Sequence, residues 1–179
     1  METKRVDDDY WVKRISFDAS AFDVLYDRYL PSVYRYIYQK VGNRTEAEDL
    51  TSVVFLHALE GILKGQYTSR NKFSAWLFSI ARTKTANYFR ERKKMPIVDF
   101  DEELKTTDTQ EFIHEEFRSL SKCYSELSHF EQELLALRFS ADLDFATIAS
   151  IVHKNKAAVK MATYRSLDKL RRRMEGLDG

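Results

Sequence analysis

DFATIASIVHKNKAAVKMATYRSLDKLRRR, residues 144–173, decides the fold of this chain. Asp144 stands just before a short apolar run with Ile148, Ala149 and Val152. That placement suits a helix N-cap, because a carboxylate there accepts hydrogen bonds from the exposed first-turn amides. His153-Lys154-Asn155 reads as a three-residue turn, and Asn155 as the cap of a long final helix. At 100° per residue, Thr163, Ser166 and Leu170 fall within about 40° of Val159, which makes an inward stripe. Ala157, Met161, Tyr164 and Arg165 fall on the opposite face, and Lys154, Lys156 and Lys160 flank it near the helix N-terminus. Two capped helices across a short turn predict a helix-turn-helix, whose second helix lays its N-terminal residues on base edges in the major groove. These seven are the candidate duplex-reading residues. Arg165 offers a forked donor to guanine, while Ala157 and Met161 offer apolar contact to a thymine methyl. A basic, solvated helix closing a small bundle has the same stripe, but paired caps at Asp144 and Asn155 are more specific than charge alone. Arg171 to Arg173 suit phosphate contacts or a solvated terminus equally well.

Outward from this stretch, charge is segregated. The whole chain of 179 residues has a net charge of +1. Residues 153–175 nevertheless carry eight Lys and Arg against two acids, whereas residues 96–127 carry nine acids against three bases. A phosphate backbone responds to the local density, not to the average. A second basic helix, with Arg82, Lys84, Arg90, Arg92, Lys93 and Lys94, is interleaved with Trp76, Phe78, Tyr88 and Phe89. Basic residues among aromatics suit unstacked bases, although a Trp at helical core spacing usually packs.

Five glycines and two prolines punctuate the chain, and between them apolar residues recur at three- and four-residue intervals. The fold is expected to be all-α, with two small helical domains joined by a flexible acidic linker. The expected division is 1–19 an N-terminal extension, 20–95 a four-helix domain, 96–111 the linker, 112–175 the helix-turn-helix domain and 176–179 a tail. In the first domain a helix from about Ser20 ends near Leu30, and Pro31 starts a second, with Val33, Ile37 and Val41 on one face. Gly42-Asn43 ends it. Thr45 and Glu48 form a capping box for a third helix, about Glu46–Glu60, and Gly61–Lys72 is a loop. The fourth helix, about Ser74–Lys93, carries Trp76, Leu77, Ile80, Ala81 and Tyr88 inward and stops before Pro96. The linker separates independently packed bodies. Beyond it Ile113, Phe117, Leu120, Tyr124 and Leu127 share a helical face, and Ser128 with Glu131 is a capping box for a helix to about Phe139.

These residues together resemble the extracytoplasmic-function sigma factors of bacterial RNA polymerase. Phe22-Asp23-Val24-Leu25-Tyr26 through Val33-Tyr34-Arg35-Tyr36, then 43–51 (NRTEAEDLT) with Val54-Phe55-Leu56, is similar to the start of the family's region two. Residues 73–82 (FSAWLFSIAR) with Asn87-Tyr88-Phe89-Arg90 resemble its end, and Leu127 to Arg171 resembles region four. The resemblance implies that Asp49, Leu50, Ser52 and Phe55 bind core RNA polymerase. It implies further that Tyr67, Ser69, Arg70, Asn71 and Lys72, with Thr83, Asn87 and Arg90, meet the minus-10 promoter element and help to open it. Lys154, Lys156, Ala157, Lys160, Met161, Tyr164 and Arg165 would then read the minus-35 element, and an anti-sigma factor is an implied partner. The sequence departs from the family where Thr83 replaces the usual Asn, Val53 an acid, His153-Lys154 a Gly-aliphatic pair and Met161-Ala162 a Ser-Arg pair.

Other classes are disfavoured. The four histidines, His57, His114, His129 and His153, are scattered, no glycine-rich phosphate loop occurs, and Cys123 has no neighbour at metal-ligand spacing. No enzyme activity and no cofactor are expected, and a single cysteine suits a reducing cytoplasmic location. No run approaches about 18 uncharged apolar residues, so no membrane insertion is expected. The rival reading is a stand-alone helix-turn-helix regulator that binds duplex DNA without polymerase.

Overall fold

The apolar positions Phe22, Leu25, Val33, Tyr36 and Ile37 keep a helical period straight across Pro31, and all five are buried. In the computed structural model, which describes residues 7–68, 72–92 and 119–176, they belong to one helix, α2 (Ala21–Val41). The break expected at Pro31 does not occur. An interior proline costs about 3 kcal/mol, whereas each large side chain buried on this face contributes about 1.5–3 kcal/mol, so packing outweighs the lost backbone bond. Ahead of it, residues expected to be an extension form α1 (Asp8–Ile15), which buries Val12 and Ile15. The Asp8 carboxylate accepts from Arg28 and the Tyr29 hydroxyl, which ties α1 to α2.

Gly42 closes α2 in the left-handed region at φ 73°. Asn43, not Thr45, then caps α3 (Arg44–Leu63), accepting from the Glu46 amide at 3.0 Å. Glu48, expected to complete the Thr45 box, instead accepts from Arg44 one turn earlier at 2.8 Å. α3 also runs into the expected loop, because Gly61 and Ile62 are still buried. There the backbone passes directly beneath Trp76: a Cβ on Gly61 would lie 2.9 Å from Trp76 Cζ2. α4 (Phe73–Arg92) buries Leu77 and Ala81 as its spacing predicts. Trp76 and Ile80 are half-buried against the same core, so Trp76 is a packing residue. Tyr88 donates to Glu46, pinning α4 to the start of α3. The expected end of α4 near Pro96, the acidic linker and the positions Ile113 and Phe117 lie outside the described residues.

In the C-terminal half, α5 (119–125) leads to α6 (His129–Leu135), which has the expected reciprocal Ser128 and Glu131 cap. The helix expected to reach Phe139 widens into a π-helical turn, Ala136–Ser140. α7 (Phe145–Val152) and α8 (Lys156–Met174) complete the chain. All described secondary structure is helical. Cys123, Leu127, Leu135 and Leu170 form a small separate cluster.

The two halves do not pack independently. Leu134, Leu137, Ile148 and Ile151 of the second join Tyr36, Phe73, Leu77 and Phe78 of the first in one continuous core, with α7 against α4 and the π-helical turn against α2. At this seam sits a buried carboxylate, Glu133. The Tyr36 hydroxyl donates to it at 2.7 Å, Lys40 forms an ion pair with it, and Arg82 Nε lies 3.7 Å away. Burial, then the charge of Glu133, holds the Tyr36 hydroxyl protonated well above its ordinary range, which keeps it a donor. Arg35 donates to the Ser140 carbonyl at 3.0 Å, and Lys72 meets Asp144 at 3.2 Å.

Gly61→Ala tests the close approach of α3 to Trp76. Helix propensity alone would favour Ala by about 1 kcal/mol, but overpacking costs about 1–3 kcal/mol, so the melting temperature should fall. Adding Trp76→Phe, which removes the clashing ring atoms, should make the double variant more stable than the sum of the two single changes.

Candidate nucleic-acid interface

The helix-turn-helix is built by the side chains that the sequence singles out. Asp144 accepts from the amides of Ala146 and Thr147 at 2.8 and 3.0 Å and from the Thr147 hydroxyl at 2.8 Å. Burial acts to raise its pKa, but these bonds and the Lys72 ammonium outweigh burial and bring it down to about 2. His153 turns the chain in the left-handed region at φ 54°, and Asn155 accepts from the Ala158 amide at 2.7 Å. On α8 the stripe Val159, Thr163, Ser166 and Leu170 is buried, as its spacing predicts.

Lys154, Lys156, Ala157, Lys160, Met161, Tyr164 and Arg165 are all exposed. Met161 and Tyr164 are 55% and 53% exposed, too open for core residues. Ala157, Lys160, Met161, Tyr164, Arg165 and Asp168 line one shallow depression. Its geometry is fixed from behind: Tyr164 leans on Phe145 at 5.9 Å between ring centroids, and Arg138 covers the Phe145 ring at 5.2 Å. Lys154 lies 5.7 Å over Phe130. This face therefore has an apolar centre and a cationic rim. The last turns of α8 differ. Arg171 and Arg172 pair with Asp168, Arg173 with Glu126, and Lys169 with Glu131 of the α6 cap. These cations serve their own half.

The residues associated with the minus-10 element do not all fall together. Ser69, Arg70 and Asn71 lie outside the described residues. Tyr67 is half-buried, bonds Asp9 and packs on Phe73 and Trp76, and burial followed by Asp9 holds its hydroxyl protonated. It is a wall, not an open stacking platform. Lys72 is exposed but paired with Asp144. Thr83, Asn87 and Arg90 share one outward face of α4, with Thr83 and Arg90 exposed and Asn87 half-exposed. Beside Thr83 is a depression lined by His57, Gln66, Trp76 and Lys84, in which the Lys84 ammonium approaches His57 Nε2 at 2.5 Å.

On α3, Asp49 and Ser52 are exposed and Leu50 is half-buried. Phe55 is not at the surface: it is buried between Phe22, at 6.3 Å, and Tyr26, at 4.6 Å. Val53 and Leu56, on either side of it in sequence, are exposed apolar residues. Positions 49, 52, 53 and 56 have the i, i+3, i+4, i+7 spacing of one helical face, which is the signal that could have found them. Next to this face Tyr34 and Tyr38 stack at 5.8 Å along a groove with Arg44, Glu48 and Ser52. Among the described residues no group of His, Cys, Asp and Glu could hold a metal ion, and no helix is long and apolar enough to cross a membrane.

The fold and this face define an all-helical protein of the helix-turn-helix class. Residues 25–95 match Sigma-70 region 2. The chain is 37% identical over 161 residues to the ECF RNA polymerase sigma factor BldN of Streptomyces coelicolor, covering 87% of this chain and 61% of that protein's length. It is 24% identical over 164 residues to the ECF sigma factor SigX of Bacillus subtilis, covering 86% of this chain and 84% of that protein. Two solved structures share its fold. CnrH in complex with the cytosolic domain of CnrY superimposes with a TM-score of 0.70 at 17% identity, over 97% of this chain and 99% of that one. The sigma factor RpoE of Bartonella quintana, in complex with the anti-sigma factor NepR, superimposes with a TM-score of 0.62 at 17% identity, over 89% and 99%. This chain belongs to the extracytoplasmic-function RNA polymerase sigma factors.

Asp144→Ala should destabilise the chain by about 1 kcal/mol at neutral pH through loss of the α7 cap. The unfolded chain takes up this proton near 3.8 and the folded chain near 2. The cap's contribution is therefore complete above pH about 4 and fades as pH falls through about 2. Urea denaturation across this range should show the difference between variant and parent shrinking toward acid.

Proposed function

We propose that this chain binds core RNA polymerase, directs it to particular promoters and helps to open the DNA for initiation. The face of α3 with Asp49, Ser52, Val53 and Leu56, flanked by half-buried Leu50, is the surface for polymerase. The outward face of α4 with Thr83, Asn87 and Arg90, together with the segment Tyr67–Lys72, meets the minus-10 element. The exposed face of α8 reads the minus-35 element through Lys154, Lys156, Ala157, Lys160, Met161, Tyr164 and Arg165. The observation that carries this reading is the coupling, in one chain of this family, of a region-two half to a doubly capped helix-turn-helix with an open reading face.

Physically, no catalytic group is required. A protein that holds duplex at one place and unstacked bases at another shifts the DNA toward its open form by binding the open form better. Met161 and Ala157 at the centre of the α8 face favour thymine methyls, with Arg165 the forked donor beside them. Control by an anti-sigma factor is part of the reading, supported by a sigma factor of the same fold, RpoE of Bartonella quintana, captured with the anti-sigma factor NepR. The role places the chain in the cytoplasm.

Transcription in vitro with core polymerase on a promoter library, with and without this chain, tests the proposal. Lys160→Ala with Arg165→Ala should lower initiation roughly tenfold or more, each contact contributing about 1–3 kcal/mol, and leave association with core unchanged. Asp49→Ala with Leu56→Asp should weaken core association instead. If the parent chain binds duplex DNA tightly by itself and leaves initiation unaltered on every template, a stand-alone regulator is the better description.

A further inference from the structure

α8 carries one acid, Asp168, among seven Lys and Arg residues. Asp168 stands eleven residues beyond Ala157, and at 100° per residue this returns it to within about 20° of that residue, onto the exposed face. The structure places it there: Asp168 shares the depression lined by Met161, Tyr164 and Arg165, and lines a second one with Arg165, Lys169 and Arg172. At about 1.5 Å per residue it lies about 16 Å along the axis from Ala157, farther than the ~12 Å width of a major groove. With Ala157 on base edges, Asp168 therefore meets the edge of the groove, where the phosphates run. For affinity alone an acid has the wrong charge at that place.

Its carboxylate is occupied by two arginines. Arg171 Nη2 donates to one oxygen at 3.2 Å and Arg172 Nε to the other at 3.0 Å. Both arginines are otherwise open to solvent, 68% and 58% exposed. The acids that pair with Lys169 and Arg173 stand outside α8, whereas Asp168 holds its partners from the exposed face itself. Such exposed pairs are individually weak, so a phosphate can compete for the arginines. To do so it must take both from Asp168 and leave an unpaired carboxylate beside itself, and that like-charge contact opposes the exchange. Sequence-independent attachment rests on phosphate contacts, whereas sequence is read at base edges. Asp168 thus subtracts from the first and leaves Met161 and Arg165 free for the second. Resting on the function proposed above, we propose that Asp168 is a specificity-determining residue. It holds down the attachment of α8 to arbitrary duplex and so raises the ratio of cognate to non-cognate binding.

The test uses the full chain. Fluorescence anisotropy reads affinity for a duplex of randomised sequence and for one carrying the minus-35 sequence that the promoter library returns. Asp168→Asn keeps the shape and removes the charge. It should bind the randomised duplex severalfold more tightly and lower the ratio of cognate to random affinity. Asp168→Glu, which can still pair at three- and four-residue spacing, should keep the parent's ratio. Arg171→Ala with Arg172→Ala, added to Asp168→Asn, should cancel the gain. Thermal melting by circular dichroism accompanies each variant. A change in melting with unchanged affinities means a role in helix stability only and overturns the proposal. So does a gain that is equal on both duplexes, or one that survives loss of both arginines. Initiation by the parent chain with core polymerase is measured in parallel. Its failure would remove the sigma-factor reading, while the randomised duplex still decides whether Asp168 restrains sequence-independent attachment.

Discussion

Burial of the Glu133 carboxylate is the constraint on which the arrangement of the described helices depends. A charge in an apolar seam must be answered by donors at fixed positions, and Tyr36, Lys40 and Arg82 provide these from two different helices. Their positions are in turn fixed by the apolar faces of α2 and α4, whose buried residues continue into the core of α6 and α7. Ion pairing thus sets the register of the two halves, while hydrophobic burial supplies most of the cohesion. The same division of labour appears at α1, where Asp8 orients Arg28 and Tyr29 while Val12 and Ile15 pack.

The function follows from which faces remain after this packing. α8 uses one stripe to close its bundle and leaves the opposite face, with Met161 and Tyr164, open to solvent. α3 buries Val54, Phe55 and Ala58 and leaves Asp49, Ser52, Val53 and Leu56 outside. The two open faces lie on different halves of one chain, which suits the proposed role of holding polymerase and DNA at once.

The parts of this structure legible in the sequence are those decided locally. Asp144, Asn155 and the Ser128 and Glu131 box bond amides two or three residues away, so their spacing alone determines the helix starts around the turn. The stripe on α8 follows equally from periodicity. Pro31 misled because proline favours a first helical turn, and only the burial of Phe22 and Leu25 before it and Tyr36 and Ile37 after it shows why the helix continues. Thr45 and Asn43 are both competent caps two residues apart, and the turn at Gly42 selects the nearer one. Phe55 fits a surface motif by its neighbours in sequence, but Phe22 and Tyr26 enclose it. Glu133 could not be read at all: as one of two acids on a short helix it looks solvated, and Tyr36 and Lys40 are 97 and 93 residues away.

The pairing at the end of α8 sets how this half should respond to ionic strength. Eight basic residues lie in 153–175, but Lys169, Arg171, Arg172 and Arg173 are compensated by acids of the same half. In the proposed role, Lys154, Lys156, Lys160 and Arg165 of this stretch are left to displace condensed counterions from duplex DNA. With a slope of about −0.9 per neutralised phosphate, the logarithm of affinity should fall with the logarithm of salt at no more than about −3.6. That is half of what eight basic residues would give, so in the proposed role attachment by this half alone is gentle, and selectivity rests on the apolar centre of its face rather than on brute attraction.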